Sequence, residues 1–130
     1  RRRMFGINSY SSLNDVKDGT ANSVMLAETT RLVYNGNGTA WGHRGWVQTG
    51  HDLAQDHGQA RGINDWMYGF DPATKKVGRL GNWGTTGSLH PGGAHFALGD
   101  ASVRFISQTT EFSILTRLAY ITDGQPIGSF

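Results

Sequence analysis

The chain has 130 residues, 37% of them hydrophobic, which is the length of one domain and too apolar for a disordered segment. Its net charge of +2 rests on Arg1, Arg2 and Arg3; without them nine basic residues face ten acids, which excludes a broad basic footprint for nucleic acid. No apolar run approaches the roughly 20 residues of a membrane span, while 19 glycines and only 17% charged residues point to a turn-rich, mainly β fold.

Residues 1 to 12 show no clear period, and the arginine run is expected to be a solvated end. Asp15 to Thr20 is a turn cluster with Asp18-Gly19 at its centre. Asp15, Asp18 and Asn22 offer oxygen ligands to a calcium ion. An Asx-turn, with Asp18 and Asn22 bonded to local backbone, is the favoured alternative. In Ser23 to Tyr34, Val24, Leu26 and Glu28 alternate against Met25, Ala27 and Thr29, which predicts a strand buried on much of both faces. Glu28 then sits at a wet strand end or pairs with an arginine, Arg104 being the candidate.

Asn35-Gly36-Asn37-Gly38 is a turn signal, and Thr39 to Thr49 reads as a second, bulged strand. Residues 50 to 87 are the least regular. Trp66, Tyr68, Phe70 and Trp83 are expected to anchor an extended excursion, with Asp71-Pro72 opening a turn and Lys75-Lys76 forming a solvated tip.

Ser88 to Ser107, SLHPGGAHFALGDASVRFIS, organises the rest. Pro91-Gly92-Gly93 is a turn, and two alternating stretches follow, Ala94 to Leu98 and Ala101 to Ile106. They predict a β-hairpin whose apolar face joins Phe96 and Leu98 to Val103 and Phe105. Its two-residue turn has either Gly99-Asp100 or Asp100-Ala101 at the centre, and the second option asks Ala101 for a positive φ. From Thr109 to Ile121 the period becomes helical, with Phe112, Leu115, Leu118 and Ala119 on one face. Thr109 or Thr110 is the expected cap, Glu111 lies near the N-terminal end, and Gly124 lies past the C-terminal one. That apolar stripe is the natural partner of the hairpin face.

HPGGAHFALGDASVRFI, with His90, nine residues and then Asp100, resembles the C-terminal signature of a prepilin-like family abundant in planctomycetes. That signature is a His, nine residues, then Asp-Gly; Ala101 stands here in place of the glycine. Val16 to Glu28, with DGTANSVMLAE inside it, is similar to a second segment of that family, and Leu118 to Phe130 resembles its ending. The resemblance implies an α+β, mainly antiparallel β head of the type IV pilin-like kind, spanning residues 1–130. It also implies a cleavable leader and a long hydrophobic N-terminal helix ahead of the head, the sole expected membrane contact. The structural motif is then His90, Gly92, Gly93 and Asp100, with Asp18, Gly19, Glu28 and Arg104.

Motifs for catalysis are weak. There is no cysteine, and no serine lies in a nucleophile elbow. Glu28 and Glu111 are the only glutamates, and His43, His90 and His95 are scattered. His51, Asp52, Asp56 and His57 form the densest polar cluster, HDLAQDH. A zinc site on His51, Asp52 and His57 is conceivable, but the spacing is not that of His-Glu-x-x-His and a solvated loop is favoured. His90 and Asp100 lie at opposite ends of a strand rising about 3.3 Å per residue, so they should not touch. His90 is expected to fix the leading turn and Asp100 the hairpin turn.

The expected function is therefore that of a non-enzymatic, extracellular or cell-surface, pilin- or pseudopilin-like subunit. It would assemble with copies of itself or with similar subunits and need no cofactor beyond a possible calcium ion. A secreted carbohydrate-binding module with exposed aromatics is the first alternative, and a metal-dependent hydrolase on His51, Asp52 and His57 the second.

Overall fold

Two alternating stretches pair as expected, but in a register that neither two-residue turn provides. The computed structural model describes residues 2–6, 8–33, 36–37, 53–54, 62–66, 75–81, 84–128 and 130. Strand β4 (Gly93–Leu98) runs antiparallel to β5 (Val103–Ser107), with Ala94 opposite Ile106, His95 opposite Phe105, Phe96 opposite Arg104 and Ala97 opposite Val103. The loop holds three residues, Gly99, Asp100 and Ala101. The Ala101 amide donates to the Leu98 carbonyl at 2.9 Å, and the Leu98 amide to the Ser102 carbonyl at 2.9 Å. Ala101 has φ 68, the left-handed last position of a three-residue hairpin loop.

One residue of register exchanges the faces of a strand. Ile106, not Val103 or Phe105, therefore joins Phe96 and Leu98 on the buried side. Ile106 is 1% exposed, whereas Val103 is 65% and Phe105 47% exposed, which corrects the expected apolar face.

Strand β1 (Val24–Ala27) lies antiparallel on the other edge of β4, giving the order β1-β4-β5. Its register shifts between Val24 and Leu26. The single long strand expected from Ser23 to Tyr34 is instead divided between two sheets. Strand β2 (Leu32–Val33) pairs with β3 (Gly36–Asn37) in a separate two-stranded sheet, so Gly36 and Asn37 of the turn signal belong to a strand. Between β1 and β2, Thr30 bonds the Leu32 carbonyl through its hydroxyl at 2.9 Å.

Helix α1 (Phe112–Ala119) is shorter than expected. Thr109 and Thr110 do not cap it, because both are engaged in the turn that leaves β5. Thr110 donates its amide to the Ser107 carbonyl at 3.1 Å, and Thr109 its amide to the Ser107 hydroxyl at 3.2 Å. Glu111 takes the cap position without a side-chain bond to the helix amides. Leu115 and Leu118 of α1 are fully buried and Phe112 and Ala119 half-buried. They close over Ala94, Phe96 and Ile106, with Leu53 and Ile63 completing one core, so the expected seat of the helix on the hairpin is found. No helix among the described residues is long and apolar enough to cross a membrane.

In the irregular middle, buried Ile63 and Leu80 and the polar Asn64 do the anchoring. The Asn64 side chain accepts the Ser88 amide at 2.9 Å and donates to the Gln108 side chain at 3.2 Å, while its backbone bonds Thr86 and Lys76. Satisfying a buried amide on so many sides holds the excursion against the sheet. Of the expected solvated tip, Lys76 is exposed but Lys75 is half-buried. Lys75 pairs with Asp65, and the Lys76 ammonium lies 4.3 Å from the centre of the Trp66 ring. The expected strand over Thr39 to Thr49, the Asp71-Pro72 turn and the anchors Tyr68, Phe70 and Trp83 lie outside the described residues.

The N-terminal segment is held rather than free. The Ile121 amide donates to the Arg2 carbonyl at 2.9 Å, and the Arg3 guanidinium lies 5.4 Å from the Tyr120 ring centre. The Lys17 amide bonds the Ile121 carbonyl at 2.7 Å.

Candidate functional site

Alternation along β4 turns His95 to the face opposite Phe96, the side of the sheet away from the helix. Glu28 follows β1 directly and continues its pairing. Its amide donates to the His95 carbonyl at 3.1 Å, and the His95 amide returns a bond to Glu28 Oε2 at 2.6 Å. The same oxygen lies 3.3 Å from His95 Nδ1, while Glu28 Oε1 lies 3.2 Å from His90 Nε2. The two imidazoles meet edge to face, 5.0 Å between centres, and Phe105 stands edge-on to His95 at 5.1 Å.

The turn that carries His90 is itself pinned. The Ser88 hydroxyl bonds the carbonyls of His90 and Gly93 and accepts the His90 amide at 3.0 Å. The Gly92 carbonyl receives the Gln108 amide at 2.8 Å. At Gly93 a Cβ would lie 2.2 Å from the Ile106 carbonyl oxygen and under 3 Å from the Phe105 ring, so only glycine fits there.

Burial by itself pushes the Glu28 carboxyl up. The His95 amide and the charges of His90 and His95 outweigh it and leave the group below its usual value. The cluster thus holds a carboxylate against two titratable rings, with side chains 32% exposed at Glu28, 44% at His95 and 50% at His90. Among the described residues these three offer ligand atoms within 4.8 Å of one another.

The other expected site residues go elsewhere. His90 does reach a partner near its turn, but through Glu28, and the hydrogen bonds that fix the turn come from Ser88. Asp100 behaves as expected: its Oδ1 accepts the Ser102 amide at 2.9 Å and the Ser102 hydroxyl at 2.6 Å. Those two bonds, the hydroxyl foremost, hold its carboxyl below the usual value. His90 and Asp100 have separate partners. Arg104 does not pair with Glu28; its guanidinium lies 5.2 Å from the centre of the Phe130 ring.

Asp18 clamps the C-terminal segment, accepting the Asp123 amide at 2.8 Å and the Gly124 amide at 2.9 Å. Asn22 donates to the Asp18 carbonyl at 3.2 Å, a local backbone bond as expected, but the Asp18 carboxylate serves backbone 105 and 106 residues away rather than an Asx-turn. Asp15 accepts the Ser12 amide at 2.8 Å and its hydroxyl at 3.1 Å, and the amide foremost lowers its pKa. Gly19 has φ 95 and Gly92 φ 89, conformations that suit glycine. His51, Asp52, Asp56 and His57, like His43, lie outside the described residues.

The role of His95 was missed from the sequence, as were those of Ser88 and Asn64. His95 sits 67 residues from Glu28, and only strand pairing joins them. Ser88 and Asn64 carry no sequence signal that distinguishes them from ordinary loop residues.

On the same outer face, Leu26, Ala97 and Val103 stand in one row across all three strands, with Phe105 in the next row beside His95. Leu26 is 56% exposed. The fold and this face define an α+β protein with a mainly antiparallel sheet, sealed by a helix on one side and without a cover on the other among the described residues. A model of the family described as "Protein of unknown function (DUF1559)" matches residues 1–113, and the chain belongs to that family. Comparison with curated proteins and with solved structures found no match.

Proposed function

We propose that the chain is a non-enzymatic, type IV pilin- or pseudopilin-like subunit of the cell surface. It assembles with copies of itself or with similar subunits through the outer face of its sheet. The observation that carries this reading is the row of Leu26, Ala97 and Val103, exposed at both its ends and flanked by exposed Phe105. Fully burying a Leu or Val contributes roughly 1.5–3 kcal/mol, and Leu26 and Val103 keep over half of that surface in water, so a second copy laid on this row gains about 1–2 kcal/mol from each. The signature around His90 and Asp100 adds support. Its glycine position is occupied by Ala101 at φ 68, a conformation glycine adopts without strain.

Because the chain has no cysteine, one introduced thiol reports only on contacts between copies. Val103→Cys is expected to form disulfide-linked pairs under mild oxidation at concentrations where Thr109→Cys, exposed beyond the outer face, stays monomeric. Equal behaviour of the two variants would count against assembly through this face.

A further inference from the structure

We propose that Glu28, His90 and His95 bind a divalent transition-metal ion of the zinc class. The proposal is independent of the assembly reading. Two imidazoles and one carboxylate are the donor set that suits such ions, whereas calcium and magnesium prefer oxygen alone. The separations fit as well. A tetrahedral ion with bonds of about 2.1 Å holds its ligand atoms roughly 3.4 Å apart. Glu28 Oε1 lies 3.2 Å from His90 Nε2, the other oxygen, Oε2, lies 3.3 Å from His95 Nδ1, and one ligand atom from each residue falls within 4.8 Å of the others, so an ion draws the three in slightly.

The ligands are also held before any ion arrives. Glu28 and His95 face each other on paired strands, and the His95 amide fixes Glu28 Oε2 at 2.6 Å, the orienting contact that metal-bound carboxylates commonly have. His90 is carried by a turn that Ser88 and Gln108 tie down, and the edge of Phe105 supports the His95 ring. All three side chains remain partly exposed, which gives the ion a path in and leaves its remaining positions to water or an outside ligand. The bound ion joins the end of β1, the middle of β4 and the turn before β4.

Titration with Co2+, followed by its visible absorption, and with Zn2+, followed by calorimetry, tests this on the whole chain. One ion per chain is expected, with Zn2+ displacing Co2+ and raising the melting temperature. Glu28→Gln and His95→Ala are expected to weaken binding by more than the about 10–100-fold typical of losing an outer orienting partner. Should His95→Ala fail to fold by circular dichroism, His90→Ala serves instead, because its half-exposed side chain lies outside any strand. A variant lacking His51 and His57 is expected to bind as the parent does. No Co2+ spectrum, parental affinity in the folded Glu28, His90 or His95 variants, or loss of binding in the His51 and His57 variant would each overturn the proposal.

Discussion

Behind the sheet, Ala94, Phe96 and Ile106 meet Leu115 and Leu118 and are sealed from water. In front of it, Leu26, Val103 and Phe105 stand about half in solvent beside two histidines and a glutamate. The same three strands supply both faces, and both are rich in apolar side chains. The difference lies in what covers them. The inner face has its own helix, so its burial goes into stability. The outer face has no cover among the described residues, and it is there that ligand-type side chains converge. Burial and exposure are thus divided between the two sides of one sheet.

The largest expected effect contrasts the two faces directly. Phe96→Ala should cost about 3–5 kcal/mol in denaturant unfolding, since it empties the middle of the core. Phe105→Ala, opposite His95 on the open side, should cost about 1 kcal/mol or less, the worth of a cross-strand pair. Equal losses would break the distinction. Gly93→Ala comes next. Its Cβ would meet backbone oxygen at 2.2 Å, which cannot be relieved by a side-chain rotation, so about 1–3 kcal/mol or more should be lost.

Ala101→Gly should gain on the order of 1 kcal/mol by relieving the left-handed alanine at φ 68, without altering which residues face the core. Amide exchange along β5 checks both points, and a change in its protection pattern would show that Ala101 helps to set the register. The smallest effect concerns pH. The Asp100 carboxyl is held below its ordinary value by Ser102, so it stabilises the fold above that ordinary value, and the gain disappears as pH falls through the lowered one. The gap in melting temperature between the parent and Asp100→Ala should therefore be widest near neutrality and close on acidification below about pH 3.8. A gap that stays constant would remove the carboxylate from the account of the loop.

Much of this was legible in the residues. The alternation of Ala94 to Leu98 gave one strand of the hairpin, and the helical spacing of Leu115 and Leu118 gave the helix and its buried side. The loop between the strands holds one residue more than the two-residue turn that the sequence suggests, and with that the exposed and buried sides of β5 are exchanged. Thr109 and Thr110 look like caps in isolation, but they serve the turn that ends β5. Of the aromatics expected to pin the excursion after residue 50, Trp66 is described and is half-buried against Lys76, while Ile63, Leu80 and Asn64 hold the other described parts.

Local periodicity is written into a chain, because a strand repeats every two residues and a helix every 3.6 whatever surrounds them. The sequence by itself therefore determined that residues 93–107 pair and that a helix follows. It did not determine which side of β5 faces the core, since two faces related by one residue are equivalent until a loop length chooses between them. Nor did it join Glu28 to His90 and His95. That meeting depends on β1 lying beside β4, a contact between segments 67 residues apart that only the closing of the core brings about.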